Sequence, residues 1–137
     1  MEQKTGEVFL SNSWILYLDA MKSPLTRYKY RGNLAMFLGF AGLQGITLEE
    51  RAQKFAHCGK KDPEWAFQNI LRFIHCQKKR VEQKEITSAT VRNYVKAIKL
   101  FCEMADIFIS WKKKLVASLA LKDMLTIEYR PLKRRRN

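Results

Sequence analysis

Two histidine–cysteine pairs are the residues of this sequence that most directly suggest chemistry. His57-Cys58 and His75-Cys76 offer the nitrogen and sulfur ligands of a zinc site, and a thiol with an imidazole is also the pair that nucleophilic catalysis uses. The spacing argues against both, because an adjacent His and Cys are not a usual chelating pair and both pairs lie in segments with a helical apolar period. We therefore predict packed or exposed side chains here, with no metal, no cofactor and no catalytic thiol.

Two basic segments have the residue types of phosphate-binding helix starts. Each begins with hydroxyl-bearing residues and continues with outward cations that have no acidic neighbour. Amide dipoles, hydroxyl donors and a mobile cation can converge there on one phosphate oxygen. Asn93 could form hydrogen bonds with the edge of a base in a major groove, most naturally adenine. The alternative is a pair of simple helix caps with solvated charges. The candidate DNA-binding residues are Thr26, Arg27 and Lys29 in the first segment, and Ser88, Thr90, Arg92, Asn93, Lys96 and Lys99 in the second.

Composition favours a polyanionic partner. The chain has 137 residues, 47% of them hydrophobic, and a formal net charge of +13. Residues 1–111 carry 17 basic and 11 acidic side chains, while residues 112–137 carry 9 and 2, so half of the excess charge belongs to the C-terminal stretch. Three cysteines are an odd number and a low density for a scaffold held by disulfides. We therefore predict reduced thiols in the cytoplasm. Neither a signal peptide, a membrane span nor a small-molecule site is indicated.

The elements that must position these residues are helices, because apolar residues recur every three or four positions. Ser23-Pro24, Thr47 with Glu50, and Asp62-Pro63 are typical helix starts. Gly59-Lys60-Lys61 is expected to close the third segment as a loop. The sequence predicts an all-α bundle with helices over about residues 12–21, 24–41, 47–58, 63–81 and 88–105.

Each predicted helix carries an apolar stripe, and the last helix also carries a polar one. Arg92, Lys96 and Lys99 recur at i, i+4 and i+7 with Asn93 beside them, so we expect these four to point outward together. The predicted core residues are Trp14, Leu18 and Met21, then Tyr30, Leu34, Phe37, Leu38 and Ala41, then Phe67, Ile70, Leu71 and Ile74, and finally Val91, Tyr94, Ile98, Phe101, Cys102 and Ala105.

At these residues the chain resembles the N-terminal core-binding domain, called SAM-like, of tyrosine recombinases and phage integrases, including Xer-type and archaeal members. The segment Ser23–Tyr30, leading to Phe37-Leu38, looks like the S-x-x-T-x-x-x-Y helix of that family. The segment Ile86–Tyr94, continuing through Ile98–Cys102, is the more specific block. The resemblance covers about residues 8–111 and implies a four- or five-helix bundle lying on one face of duplex DNA.

The resemblance also implies roles for individual residues. It places Thr26 and Thr90 on phosphates, and Arg27 and Lys29 on the backbone or the groove wall. Asn93, with its neighbours on the last helix, would read base edges, and two tyrosines would join the core. The residues in these last two roles are Asn93, Arg92 and Lys96 for the bases, and Tyr30 and Tyr94 for the core. The hypothesis requires Thr26 and Thr90 to face one side of the bundle.

The chemistry of that family resides in a second domain with an Arg, a Lys, a His-x-x-Arg element and a nucleophilic Tyr. No His follows His75, and Tyr129 has no matching context, so we predict a DNA-binding module without strand cleavage of its own. Residues 112–137 depart from the family as a basic tail, expected to be partly helical or disordered, which suggests a truncated or frame-shifted remnant. The alternatives are a helical module that regulates an intact recombinase or another protein, and a fragment without function. The predicted location is cytoplasmic and nucleoid-associated.

Overall fold

A computed structural model describes residues 13–111, and every regular element in this range is a helix. Helix α1 covers residues 13–19 and is followed by four longer helices, so the predicted all-α class is confirmed. Residues 1–12 and 112–137, which include the predicted basic tail and Tyr129, lie outside the described residues. The longer helices are α2 (Pro24–Phe40), α3 (Leu48–Lys61), α4 (Pro63–Glu82) and α5 (Ser88–Met104).

Local caps begin each of the four longer helices where the sequence predicts them. Thr47 and Glu50 form the complete capping box at α3, in which each side chain accepts from the backbone amide of the other's residue. The Asp62 carboxylate accepts from the amide of Trp65, 3.1 Å away, at the start of α4. Ser23 and Thr87 cap α2 and α5 in the same manner. These contacts span three residues or fewer, so they need no tertiary packing to form.

Aromatic rings join the helices at the centre of the core. The Phe37 ring of α2 meets Phe55 of α3 and Phe73 of α4 edge to face, with centroid distances of 5.1 and 5.5 Å. Tyr17 of α1 is fully buried against Phe101 of α5, and its hydroxyl donates to a backbone carbonyl of α2. Burial raises the pKa of Tyr17. Tyr17, Phe55 and Phe73 were not among the predicted core positions.

The predicted apolar stripes otherwise form the core as expected, with graded burial. Most of the predicted positions are buried, including Tyr94. Leu18, Tyr30, Ala41 and Leu71 are only partly buried at its edge, so the resemblance-based placement of Tyr30 in the core holds only in part.

Gly59 does not end α3, contrary to the sequence-based prediction. The helix continues to Lys61, and Gly59 is buried within its last turn. A Cβ atom at residue 59 would lie 2.8 Å from Ile107 Cδ1 and 3.3 Å from Ala66 Cβ. The missing side chain therefore lets α4 and the segment after α5 approach α3 closely, and Lys60 and Lys61 belong to a helix rather than to a loop.

Helix α4 ends with a lysine in a left-handed conformation. Lys84 has φ of 64°, and the amides of Lys84 and Glu85 donate back to carbonyl oxygens of Val81 and Arg80 at 2.9 Å each. These two hydrogen bonds satisfy carbonyl oxygens at the helix end that would otherwise have no partner. Glycine is favoured at such a position because it adopts a positive φ without the steric cost of a Cβ atom.

We expect Lys84→Gly to raise the free energy of unfolding by about 0.5–1 kcal/mol, because it removes left-handed strain without removing a contact. Urea denaturation followed by circular dichroism measures the change. Lys84→Ala also removes the charge but keeps the strain, so it serves as the matched control. A glycine variant no more stable than the alanine variant would contradict the prediction.

Candidate nucleic-acid interface

Helices α2 and α5 lie side by side over the most extensive helix–helix interface of the described residues. A groove of about 750 Å³ opens on this side of the bundle. Its walls come from three elements, of which α2 supplies the larger part, α5 supplies its first turns and α3 supplies its first residue. The lining residues are Tyr28, Lys29, Arg31, Gly32, Asn33, Ala35, Leu48, Thr90 and Asn93.

Three of the predicted DNA-binding residues meet in this groove. Lys29 comes from α2, and Thr90 and Asn93 come from the first two turns of α5. Thr26 precedes Lys29 and Asn33 by three and seven positions, which places all three on one face of α2. Thr26 itself is not part of the groove lining, so its place on the same side of the bundle as Thr90 stays a prediction.

The predicted cationic face of α5 lies beside the groove rather than inside it. Successive residues differ by about 100° around a helix, so Arg92 projects on the opposite flank from Thr90. Arg92 is half-buried and does not line the groove, while Lys96 lies exposed on the crest between the flanks. Ser88, half-buried, shares the flank of Arg92. Arg92, Lys96 and Lys99 still recur within about 60° of one another around the helix, so they share one face that adjoins the groove.

Lys99 is engaged within the fold. Its ammonium group lies 5.8 Å from the centroid of the Trp111 ring, and the side chain is half-buried. A cation held over an indole face is already stabilised by the ring quadrupole. Lys99 therefore also forms a contact between α5 and the segment that follows it.

Arg27 is also directed toward the fold rather than outward. Its Nε donates to the backbone carbonyl of Met21 at 2.8 Å, which ties the first turn of α2 to the connection from α1. The side chain is half-buried. The resemblance implies a groove-wall contact for Arg27, and its position at the α1–α2 connection instead gives it a role in holding these two helices together.

The backbone amides at the start of α2 are already used. Pro24 has no N–H, and the amides of Leu25 and Thr26 donate to Ser23 Oγ at 3.2 and 3.4 Å. The amide of Arg27 donates to the Ser23 carbonyl at 3.0 Å. A phosphate at this helix start would therefore meet side chains, not the free amides expected from the sequence.

The start of α5 is capped in the same way. Thr87 Oγ1 accepts from the amide of Thr90 at 3.2 Å, and the two hydroxyl groups lie 3.2 Å apart. The Thr90 side chain nevertheless lines the groove, so its hydroxyl is shared between the cap and the groove surface.

The groove is electropositive because acidic residues are absent from both of its main walls. The first turns of α2 and α5 contain no Asp or Glu, whereas the first turns of α3 and α4 carry Glu49, Glu50 and Glu64. Arg80 forms a salt bridge with Glu85, and within residues 13–111 neither Lys29 nor Arg31 is seen to form one. Helix starts normally favour acids, so their absence here leaves a positive surface.

Six lining residues were not predicted as site residues, and three of these have polar or aromatic side chains suited to binding. Tyr28 is 77% exposed, Asn33 brings a second amide beside Asn93, and Arg31 adds a cation next to Lys29. Arg31 also lies over the Trp14 ring, 5.9 Å from its centroid. Asn33 could have been predicted from its spacing, because Thr26, Lys29 and Asn33 stand at i, i+3 and i+7 and therefore share one helix face. The closure of α2 against α5 had no counterpart in the sequence pattern.

Two of the three cysteines are exposed, and the third is buried. Cys58 and Cys76 lie on the surface with their histidine neighbours, while Cys102 is inside the core. Burial raises the pKa of the Cys102 thiol to about 12. Within residues 13–111 no three His, Cys, Asp or Glu side chains come together as a metal-binding group.

We expect Cys58 and Cys76 to react quickly with an aromatic disulfide reagent at mildly alkaline pH. Cys102 should react at least about 100-fold more slowly, because it is occluded and its thiolate is scarce. Counting released chromophore before and after adding denaturant measures this. Three equivalents released rapidly from the folded protein would contradict the buried position of Cys102.

Comparison of the chain with protein families, curated proteins and solved structures finds no match. The resemblance to integrase core-binding domains therefore stays a prediction that rests on the two sequence blocks. None of the helices within residues 13–111 combines the length and hydropathy of a membrane-spanning segment.

Proposed function

We propose that residues 13–111 bind double-stranded DNA through the face that α2 and α5 form together. The observation that carries the proposal is the meeting of Lys29, Arg31, Thr90 and Asn93 in one groove that has no carboxylate in its lining. Cations and hydroxyl groups suit phosphate oxygens, and an asparagine amide suits the edge of an adenine. Lys96, exposed on the crest of α5, extends the same positive surface.

The proposed role is that of a DNA-binding module of the integrase type, without strand cleavage of its own and associated with the nucleoid. Contacts with about five phosphates would give a log–log salt slope near −4.5. Nonspecific dissociation constants on the order of 10⁻⁴ to 10⁻⁶ M are expected at physiological salt.

A salt titration of binding to a short labelled duplex, followed by fluorescence anisotropy, tests this function. A slope near −4.5 supports it, and a slope near zero overturns it. The full chain is compared with a version that ends at Trp111. Equal slopes would assign the contacts to the helical part, whereas loss of the slope in the shorter version would assign them to residues 112–137.

A second function is favoured by one observation. The outward face of α2 also exposes Leu25, Met36 and Phe40, with 60%, 45% and 43% of their surfaces accessible. Apolar side chains on an outer helix face suit a protein partner, such as an intact recombinase. Retention of a protein partner during purification, together with no binding to DNA at low salt, would select this function over the first.

A further inference from the structure

The groove between α2 and α5 contains an aromatic ring that duplex binding alone does not explain. Tyr28 is 77% exposed and lines the groove. An exposed ring of this kind contributes little to the core, but its face is available for stacking. Stacking on aromatic side chains is the main way in which proteins hold bases that have left a helix stack.

The floor of the groove is open next to this ring. Gly32 lies four positions after Tyr28 on the same face of α2, and nothing lies within 4 Å of the position that its Cβ would occupy. The groove volume of about 750 Å³ falls within the range of roughly 300–1,000 Å³ that is usual for sites binding small molecules. The absence of a side chain at residue 32 therefore leaves room for a planar group beside Tyr28.

The remaining lining residues complement the other parts of a nucleotide. Lys29 can pair with a phosphate, while Asn33 and Asn93 offer amide donors and acceptors to a base edge. Two other surface grooves of the described residues differ, because one includes Glu103 and Asp106 and the other includes Glu50. Carboxylates in those grooves would repel a phosphate.

A paired base cannot use this groove in the same way. Within a duplex both faces of a base are covered by its neighbours, so a protein ring reaches a base face only where a nucleotide is unpaired. Duplex DNA lying across α2 and α5 would therefore leave Tyr28 without a stacking partner. An unpaired nucleotide projecting from the duplex would fill the groove.

We propose that this groove receives a single unpaired nucleotide of a DNA duplex, with its base stacked on Tyr28, its edge facing Asn33 and Asn93, and its phosphate near Lys29. This inference rests on the proposed function, because the flanking duplex supplies the rest of the contact. It predicts that the protein prefers bulged or branched DNA to a perfectly paired duplex.

The test compares the full chain on a short duplex and on the same duplex with a single-adenine bulge, by fluorescence anisotropy at low salt. The bulged DNA is expected to bind roughly five- to 150-fold more tightly, which is the range for one base stacked on an aromatic side chain. A 2-aminopurine at the bulge should lose fluorescence on binding, because stacking quenches it.

Three variants locate the effect. Tyr28→Ala and Gly32→Leu should bring the ratio of bulge to duplex affinity close to one, the first by removing the ring and the second by filling the floor. Tyr28→Phe should keep the ratio. Phe108→Ala, which removes a ring that is 79% exposed outside the groove, should also keep it.

Equal affinity for bulged and paired DNA would overturn this inference and leave the proposed function intact. Failure to bind either DNA would overturn both. An affinity ratio that survives both Tyr28→Ala and Gly32→Leu would place the unpaired nucleotide elsewhere and would also overturn the inference.

Discussion

Reversing three cations at once, with Lys29→Glu, Arg31→Glu and Lys96→Glu, is expected to lower the affinity for duplex DNA roughly 1,000-fold at low salt. Each reversal removes a charge-assisted contact of about 1.5 kcal/mol or more, and the new carboxylates repel phosphates in addition. Loss of three phosphate contacts should also make the salt slope shallower by about 2.7. Anisotropy titrations at two or more salt concentrations measure both quantities.

The matched control reverses three other exposed lysines, Lys54, Lys60 and Lys61, and so changes the net charge by the same amount. Lys60 and Lys61 lie in the last turn of α3, whose first residue, Leu48, lines the groove. At 1.5 Å per residue this turn lies about 18 Å along the helix from the groove. Equal losses in the two triple variants would mean that DNA is attracted by diffuse charge, and the proposed face would be wrong.

Phe37→Ala is expected to cost about 3–5 kcal/mol of the free energy of unfolding. The ring is fully buried and joins three helices through its edge-to-face contacts with Phe55 and Phe73, so its removal leaves a cavity that no single helix can close. Because small domains have only about 5–15 kcal/mol in total, this loss is a large fraction of the stability of the domain. Denaturant titration followed by far-ultraviolet circular dichroism measures the loss.

Two comparison variants make the result interpretable. Phe37→Leu retains most of the apolar volume and should cost less than about 1.5 kcal/mol. Phe108→Ala removes an exposed ring and should stay within about 0.5 kcal/mol of the parent. A Phe37→Ala protein as stable as the Phe108→Ala protein would contradict the central position of Phe37.

The helix starts could be predicted because their causes are local. Ser23, Thr47, Asp62 and Thr87 each accept backbone amides no more than three residues away, and those contacts depend on residue type and spacing alone. The end of α3 could not be predicted in this way. Gly59 looks like a helix terminator in the sequence. In the fold it lies inside the helix and leaves space for Ile107, which is nearly 50 residues further along the chain.

The candidate site was predictable in part for the same reason. The sequence indicated Lys29, Thr90 and Asn93 from cations, hydroxyl groups and an amide near helix starts. It did not indicate that Arg27 donates to the Met21 carbonyl or that Lys99 lies over Trp111. Long basic side chains can reach several partners, and which partners are near them depends on how the helices pack.

The sequence by itself determined the helical class, the capped starts of the four longer helices, the positive charge and the absence of acids around two of those starts. Periodicity and capping act within a few residues, so these features can be read without a fold. Tertiary structure alone decided that α2 and α5 line a common groove with Gly32, and that Asn33 and Asn93 both belong to its lining while Arg92 does not. The physical reason is that the rotation of one helix against another is set by side chains packing across the interface, through contacts between residues far apart in the chain.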